Sequence, residues 1–190
     1  DHMTTLQTAR DRLNDGVVGE VRDSVDLDGR GGTDTYIVYT HGSEAAGPHD
    51  YIVNVLDTGA KDDGFDTLNI EGTGDDDIFL LRRMAAITEG ASVPIEVRAP
   101  AFVALLHGTL AQVRNADPAL RRQDVERVNY DENANSRLIV RGFAGNDYFA
   151  SDDNAAITTL DGGAGDDSFQ IGQIYGSPRN VEANIAEGDE

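Results

Sequence analysis

The sequence predicts an all-β protein: a parallel β-solenoid of β-roll or β-helix type, with Gly/Asp-rich turns and one irregular insertion that has room for a short helix. A β-sandwich is the alternative. Three observations carry this reading. Short apolar runs rich in β-branched and aromatic residues recur along the chain, Gly/Asp clusters separate them, and the pattern G-x-D-x-U (U a large apolar residue) repeats at those clusters. A recurring unit of this kind marks stacked coils, each burying the apolar edge of its neighbour.

Taken in order, Asp1 and His2 ahead of Met3 read as a cloning remnant, so residues 1–3 are set aside. Residues 4–81 form an N-terminal β-repeat region with strands expected at Tyr36–Thr40, Tyr51–Leu56, Leu68–Glu71 and Ile78–Leu81. Residues 82–126 break the rhythm: APAFVALLHGTLAQVRNADPALRRQDVER has few glycines and most of the local arginines. This segment reads as an insertion or lateral cap of helix or paired strands. A strand is expected at Ile95–Arg98 and a helical piece near Pro118–Val125, with Pro118 at an element boundary. The rhythm resumes over residues 127–190, with strands at Arg127–Tyr130, Leu138–Arg141, Ile157–Leu160 and Ser168–Ile171. Alternation such as L-I-V-R-G and S-F-Q-I turns one strand face inward. The final NIAEGDE resembles the start of another strand and turn, which reads as a fragment of a longer protein.

Composition narrows the function classes. There are 35 acidic residues against 15 basic ones, a formal net charge of −20. Nucleic acid and anionic membrane surfaces are bound by clustered Lys and Arg, so both are excluded as partners. No cysteine is present, which removes disulfides and thiolate metal sites. No apolar run is long enough to span a bilayer. Repulsion on this scale opposes compaction unless counter-ions sit close, and divalent cations suit that task.

The turn pattern stands at Gly32–Tyr36, Gly64–Leu68, Gly74–Ile78, Gly145–Phe149 and Gly165–Phe169. Two copies extend to G-x-G-x-D-x-U, Gly72–Ile78 and Gly163–Phe169, and Gly162 completes G-G-x-G-x-D-x-U in the second. Phe143 takes the earlier glycine position in the copy at Gly145. Asp147 and Asp167 are 20 residues apart and Asp66 and Asp76 are 10 apart, intervals that suit one coil and half a coil. These turns resemble the hemolysin-type, or repeats-in-toxin, calcium-binding nonapeptide, most fully at residues 162–169. The resemblance implies a parallel β-roll with calcium in its turns, as a structural module of a large secreted or cell-surface bacterial protein, beside neighbouring domains of a longer chain. An adhesin module that binds surface carbohydrate or protein is the alternative it implies.

Calcium takes six to eight oxygen ligands from carboxylates and backbone carbonyls. Glycines let successive carbonyls turn toward one point, and an aspartate at fixed offset adds a short carboxylate. On that logic the expected ligands are Asp167 with Gly163 and Gly165, then Asp147 with Gly145. Asp76 with Gly72 and Gly74 follows, and Asp66 and Asp34 come last. Asp and Gly also favour turns without any metal, since Asp bonds its own backbone and Gly tolerates positive φ.

Catalytic signatures are absent. His2, His41, His49 and His107 show no metal-ligand spacing, and the sequence has neither a G-x-S-x-G elbow nor a phosphate-binding loop. The acids track the turn period rather than converging on a cleft, so the chain is read as no enzyme. A polysaccharide-processing activity, or self-cleavage at Asp117-Pro118, is the remote alternative.

Overall fold

The computed structural model describes residues 23–45, 51–55, 58–60, 63–83, 101–115, 125–131, 134 and 136–172. In chain order the strands are β1 (Asp23–Leu27), β2 (Thr35–Tyr39), β3 (Tyr51–Val55), β4 (Thr67–Glu71), β5 (Ile78–Arg83) and β6 (Ala101–Leu106). A short helix, α1 (Leu110–Arg114), precedes β7 (Val125–Tyr130), β8 (Arg137–Arg141), β9 (Tyr148–Ser151), β10 (Thr158–Asp161) and β11 (Ser168–Ile171). They build two sheets, one of seven strands ordered β1-β3-β7-β6-β5-β9-β11 and one of four ordered β10-β8-β4-β2. All pairs are parallel except those of β6, which runs antiparallel to both β5 and β7.

Alternation places the core between the sheets. In the four-stranded sheet Tyr36 and Val38, Leu68 and Ile70, and Leu138 and Val140 are buried, and the register aligns Val38, Ile70, Val140 and Leu160 across it. The seven-stranded sheet answers with Val53, Val55, Leu81, Val103, Leu105, Val128 and Tyr130. Phe79 and Phe149 lie stacked within the same core, 5.2 Å between ring centroids. Three connections of the same length, residues 72–77, 142–147 and 162–167, carry the chain from β4 to β5, from β8 to β9 and from β10 to β11. Because each enters a strand in register with its neighbour, the three turns lie side by side.

The all-β expectation holds, in two sheets of mixed and largely parallel pairing. Strand bounds agree within two residues at β2–β4, β7, β8, β10 and β11. β5 runs two residues beyond its expected end, to Arg83. β1 and β9 fall where no strand was expected, and β6 lies in the segment read as helix or paired strands. β6 (AFVALL) lies between Pro100 and Gly108, and five residues of β5 pair with it in antiparallel register. Its antiparallel course departs from the purely parallel expectation. The helix forms at Leu110–Arg114, where Thr109 and Gln112 make a reciprocal capping box: the Gln112 backbone N–H donates to the Thr109 hydroxyl, and the Thr109 N–H donates to the Gln112 side chain. Leu110 and Val113 cover Ile78, Tyr148 and Ala150 on the outer face of the large sheet. The expected strand at Ile95–Arg98, the residues 118–124 of the expected helix, and Asp117-Pro118 lie outside the described residues.

Candidate functional site

The three stacked turns share a spacing that organises their chemistry: Gly72 and Asp77, Gly142 and Asp147, Gly162 and Asp167 are each five residues apart. In each turn the aspartate side chain folds back beneath the glycine. A Cβ at Gly142 would lie 1.8 Å from an oxygen of Asp147, and one at Gly162 would lie 2.1 Å from an oxygen of Asp167. Only glycine leaves room for the carboxylate there. Gly29 and Asp34 repeat the arrangement at the same spacing, with 2.5 Å to the carboxylate.

The carboxylates then reach the neighbouring turn. The Asp77 N–H donates to Asp147 Oδ1 at 2.8 Å, and the Asp147 N–H donates to Asp167 Oδ1 at 3.0 Å. Ser43 closes one end of this column, its N–H donating to Asp77 Oδ1 at 3.0 Å while its hydroxyl accepts from the Ile78 N–H at 2.8 Å. One residue earlier runs an outer column of opposite sense. The Asn146 N–H donates to Asp76 Oδ1 at 2.6 Å, and the Asp166 N–H donates to Asn146 Oδ1 at 3.0 Å. A separate pair forms where the chain enters the small sheet, the Asp34 N–H donating to Asp66 Oδ1 at 2.7 Å.

Of the residues expected to form one kind of site, Asp147, Asp167, Gly145, Gly163 and Gly165 come together in adjacent turns. Gly145, Gly163 and Gly165 all have positive φ, and a Cβ on Gly165 would fall 1.7 Å from the Gly145 carbonyl oxygen. Asp76 belongs to the outer column, and its place in the inner one is taken by Asp77, because the register sets Ile78 beside Tyr148. Gly74 sits in open space and Gly72 makes room for the Asp77 carboxylate. Asp34 and Asp66 pair away from the other three, ahead of the small sheet.

Electrostatics follow from burial. Asp147 is 1% exposed, and its carboxyl pKa is pushed up to about 6, first by burial and then by the charges of Asp77, Asp167 and Asp76, against the lowering effect of the Asp77 N–H. Its Oδ2 is buried without a hydrogen-bond partner. In the preceding turn the equivalent oxygen of Asp77 accepts from both the N–H and the hydroxyl of Thr73, at 2.7 and 3.1 Å. At the matching position stands Phe143, which has no hydroxyl and is itself held at φ 74°. Burial still raises the Asp77 carboxyl above the ordinary carboxylate range.

A second polar cluster went unseen in the sequence. Glu126 on β7 is buried, yet it accepts from the His41 N–H at 2.9 Å and from the Tyr51 hydroxyl at 2.7 Å. The His41 and His107 rings stand 3.4 and 3.6 Å from its two oxygens. The Gly108 N–H donates to the Ser43 carbonyl at 2.8 Å, so the loop after β2 and the turn after β6 close over this carboxylate. Burial and the Glu126 charge push the Tyr51 hydroxyl far above its usual range, which keeps it a donor. A glutamate inside the otherwise strand-like run VERVNY was the available signal.

This geometry overturns the calcium expectation. The turn carboxylates face backbone N–H groups of adjacent turns, and among the described residues no group of three or more His, Cys, Asp or Glu side chains could hold a metal ion. Calcium as cofactor and partner is therefore corrected, and with it the calcium-stabilised module. Surface carbohydrate or protein as a partner gains no support either. No helix among the described residues is long and apolar enough to cross a membrane. Family models, curated proteins and solved structures yield no match to the chain, so the hemolysin-type, repeats-in-toxin and adhesin readings have nothing beyond the turn spelling behind them.

Proposed function

We propose that the chain is a non-catalytic structural module, a β-solenoid whose coils are locked together by side-chain-to-backbone hydrogen bonds in the turns. The observation that carries this reading is the Asp77–Asp147–Asp167 column, in which each carboxylate meets a backbone N–H of the coil beside it. A hydrogen bond of this kind contributes a net of about 0.5–1.5 kcal/mol, and the column fixes the stacking distance between coils. Such a column does for a turn what the backbone ladder does for a strand. The acids accordingly serve as spacers and staples rather than as catalysts.

A secreted or cell-surface setting is part of the same proposal; it rests on the turn residues 162–169, and fractionation of expressing cells tests it. The mechanical reading is tested by thermal melting with chelator, with millimolar magnesium and with millimolar calcium. Equal melting temperatures are expected in all three, since one oxygen of each inner carboxylate is already held by a backbone N–H of the neighbouring segment. A rise specific to calcium would overturn the metal-independent reading.

A further inference from the structure

A series of backbone rungs follows the small sheet and ends at β10. Thr40 donates its N–H to the Glu71 carbonyl at 2.9 Å, Gly72 to the Arg141 carbonyl at 2.7 Å and Gly142 to the Asp161 carbonyl at 2.8 Å. Gly162 is the next residue in that series, but β10 is an edge strand, and among the described residues no carbonyl accepts from the Gly162 N–H. Asp161, just before it, is exposed, and its carboxylate makes no hydrogen bond or ion pair with the described residues. Its register neighbour Arg141 is paired with Glu71 instead, at 2.5 Å. The other described Asp-Gly pairs are held. Asp28 accepts from the Thr58 N–H and hydroxyl, both at 3.0 Å, and the Gly29 N–H donates to the Tyr36 hydroxyl at 2.8 Å. Asp63 accepts from the Ala60 N–H at 2.9 Å, and Gly64 is packed so closely that a Cβ would fall 1.4 Å from the Gly32 carbonyl oxygen.

We infer that Asp161-Gly162 is a modification site, at which the chain converts spontaneously through a succinimide to isoaspartate. In the ring-closing step the Gly162 main-chain nitrogen bonds to Asp161 Cγ, and the carboxyl hydroxyl leaves with the N–H proton as water. Hydrolysis of the imide then restores aspartate, or breaks the bond between that nitrogen and the Asp161 main-chain carbonyl carbon and leaves isoaspartate. Water is the sole co-reactant. Ring closure turns the peptide between the two residues out of its extended course, which a rung hydrogen bond opposes and a glycine, lacking Cβ, permits. The consequence falls on the turn that follows. Isoaspartate carries the Cβ of residue 161 into the main chain and lengthens the path into Gly162. The Asp167 carboxylate folds beneath Gly162, 2.1 Å from where a Cβ would lie, and its Oδ1 accepts from the Asp147 N–H at 3.0 Å. Modification therefore withdraws the last carboxylate from the column and loosens the terminal turn first. That consequence rests on the stacked-turn reading above, whereas the site does not: calcium-dependent melting would remove the reading and leave the site.

Ageing of the full chain in warm neutral buffer, with isoaspartate mapped by electron-transfer fragmentation of its peptides, tests the site. The expected result is isoaspartate at residue 161 severalfold above the levels at residues 28 and 63. The same ageing in guanidinium chloride should bring the three to similar levels, since the fold no longer distinguishes them. No isoaspartate at 161, an equal or greater amount at 28 or 63, or a ranking unchanged in denaturant overturns the proposal. Asp161→Glu keeps the charge at an exposed position and would have to close a larger ring. Exchange of the Asp147 amide should quicken in aged wild type in step with the modified fraction and hold its fresh rate in aged Asp161→Glu. Quickening in both proteins, or in neither, would overturn the link from the site to the column.

Discussion

At Asp147 a carboxylate is held away from water with one oxygen bonded and the other bare. Its pKa of about 6 in the folded chain compares with about 3.9 when unfolded, so folding favours its protonated form. The favourable contribution is complete below about pH 4 and is lost as pH rises through 6. Asp147→Asn keeps an acceptor for the Asp77 N–H and carries no charge. Its melting temperature should match wild type near pH 4 and exceed it near pH 8; equal melting temperatures at both values would refute the assignment. Among the glycines, Gly165 and Gly74 occupy equivalent places in the motif, but only Gly165 has positive φ and a carbonyl where a Cβ would go. Gly165→Ala should cost roughly 2–4 kcal/mol and Gly74→Ala less than about 0.5 kcal/mol in chemical denaturation. The motif could not separate them, since the conflict arises from a neighbouring coil. Asp77 was hidden for a related reason. In a run of three aspartates the apolar anchor Ile78 favours Asp76, whereas the glycine five residues upstream selects Asp77 in agreement with Asp147 and Asp167.

Most strands that alternate beside a Gly/Asp cluster were legible, whereas the direction and pairing of others were decided by tertiary contacts. β4, β8 and β11 each adjoin a Gly/Asp cluster and alternate cleanly, so pattern alone locates them. β6 is an apolar run that would suit a buried helix or a strand, and its partners β5 and β7 decide the matter. The short helix α1 carried its signal in Thr109 and Gln112, but Pro118 drew attention farther along the chain. The Glu126 cluster ties these elements together, since its ligating groups come from β3, from the residues after β2 and from the turn after β6. Tyr51→Phe removes a donor from a buried carboxylate and should destabilise the protein by about 1–3 kcal/mol. Exchange of the Gly108 amide should accelerate before that of the core strands. A loss under about 0.5 kcal/mol would show that His41 and His107 hold Glu126 in place without the Tyr51 hydroxyl.

Over the whole molecule the two sheets are joined by repeated turns on one side, while β6 enters the large sheet against the prevailing strand direction. The all-β class followed from the repeated turns, and their spacing is legible where the 20 residues from Asp147 to Asp167 correspond to one strand step in register; the antiparallel β6 was not in the repeat. The calcium expectation failed because residue type and spacing describe a turn equally well whether its oxygens face an ion or an amide. The two columns also run in opposite senses, the inner donating from earlier to later coils and the outer from later to earlier. Their bond dipoles oppose one another at each level. A turn edge built this way accumulates no net polarisation as coils are added, so the length of such a stack is not limited by a growing field along its axis.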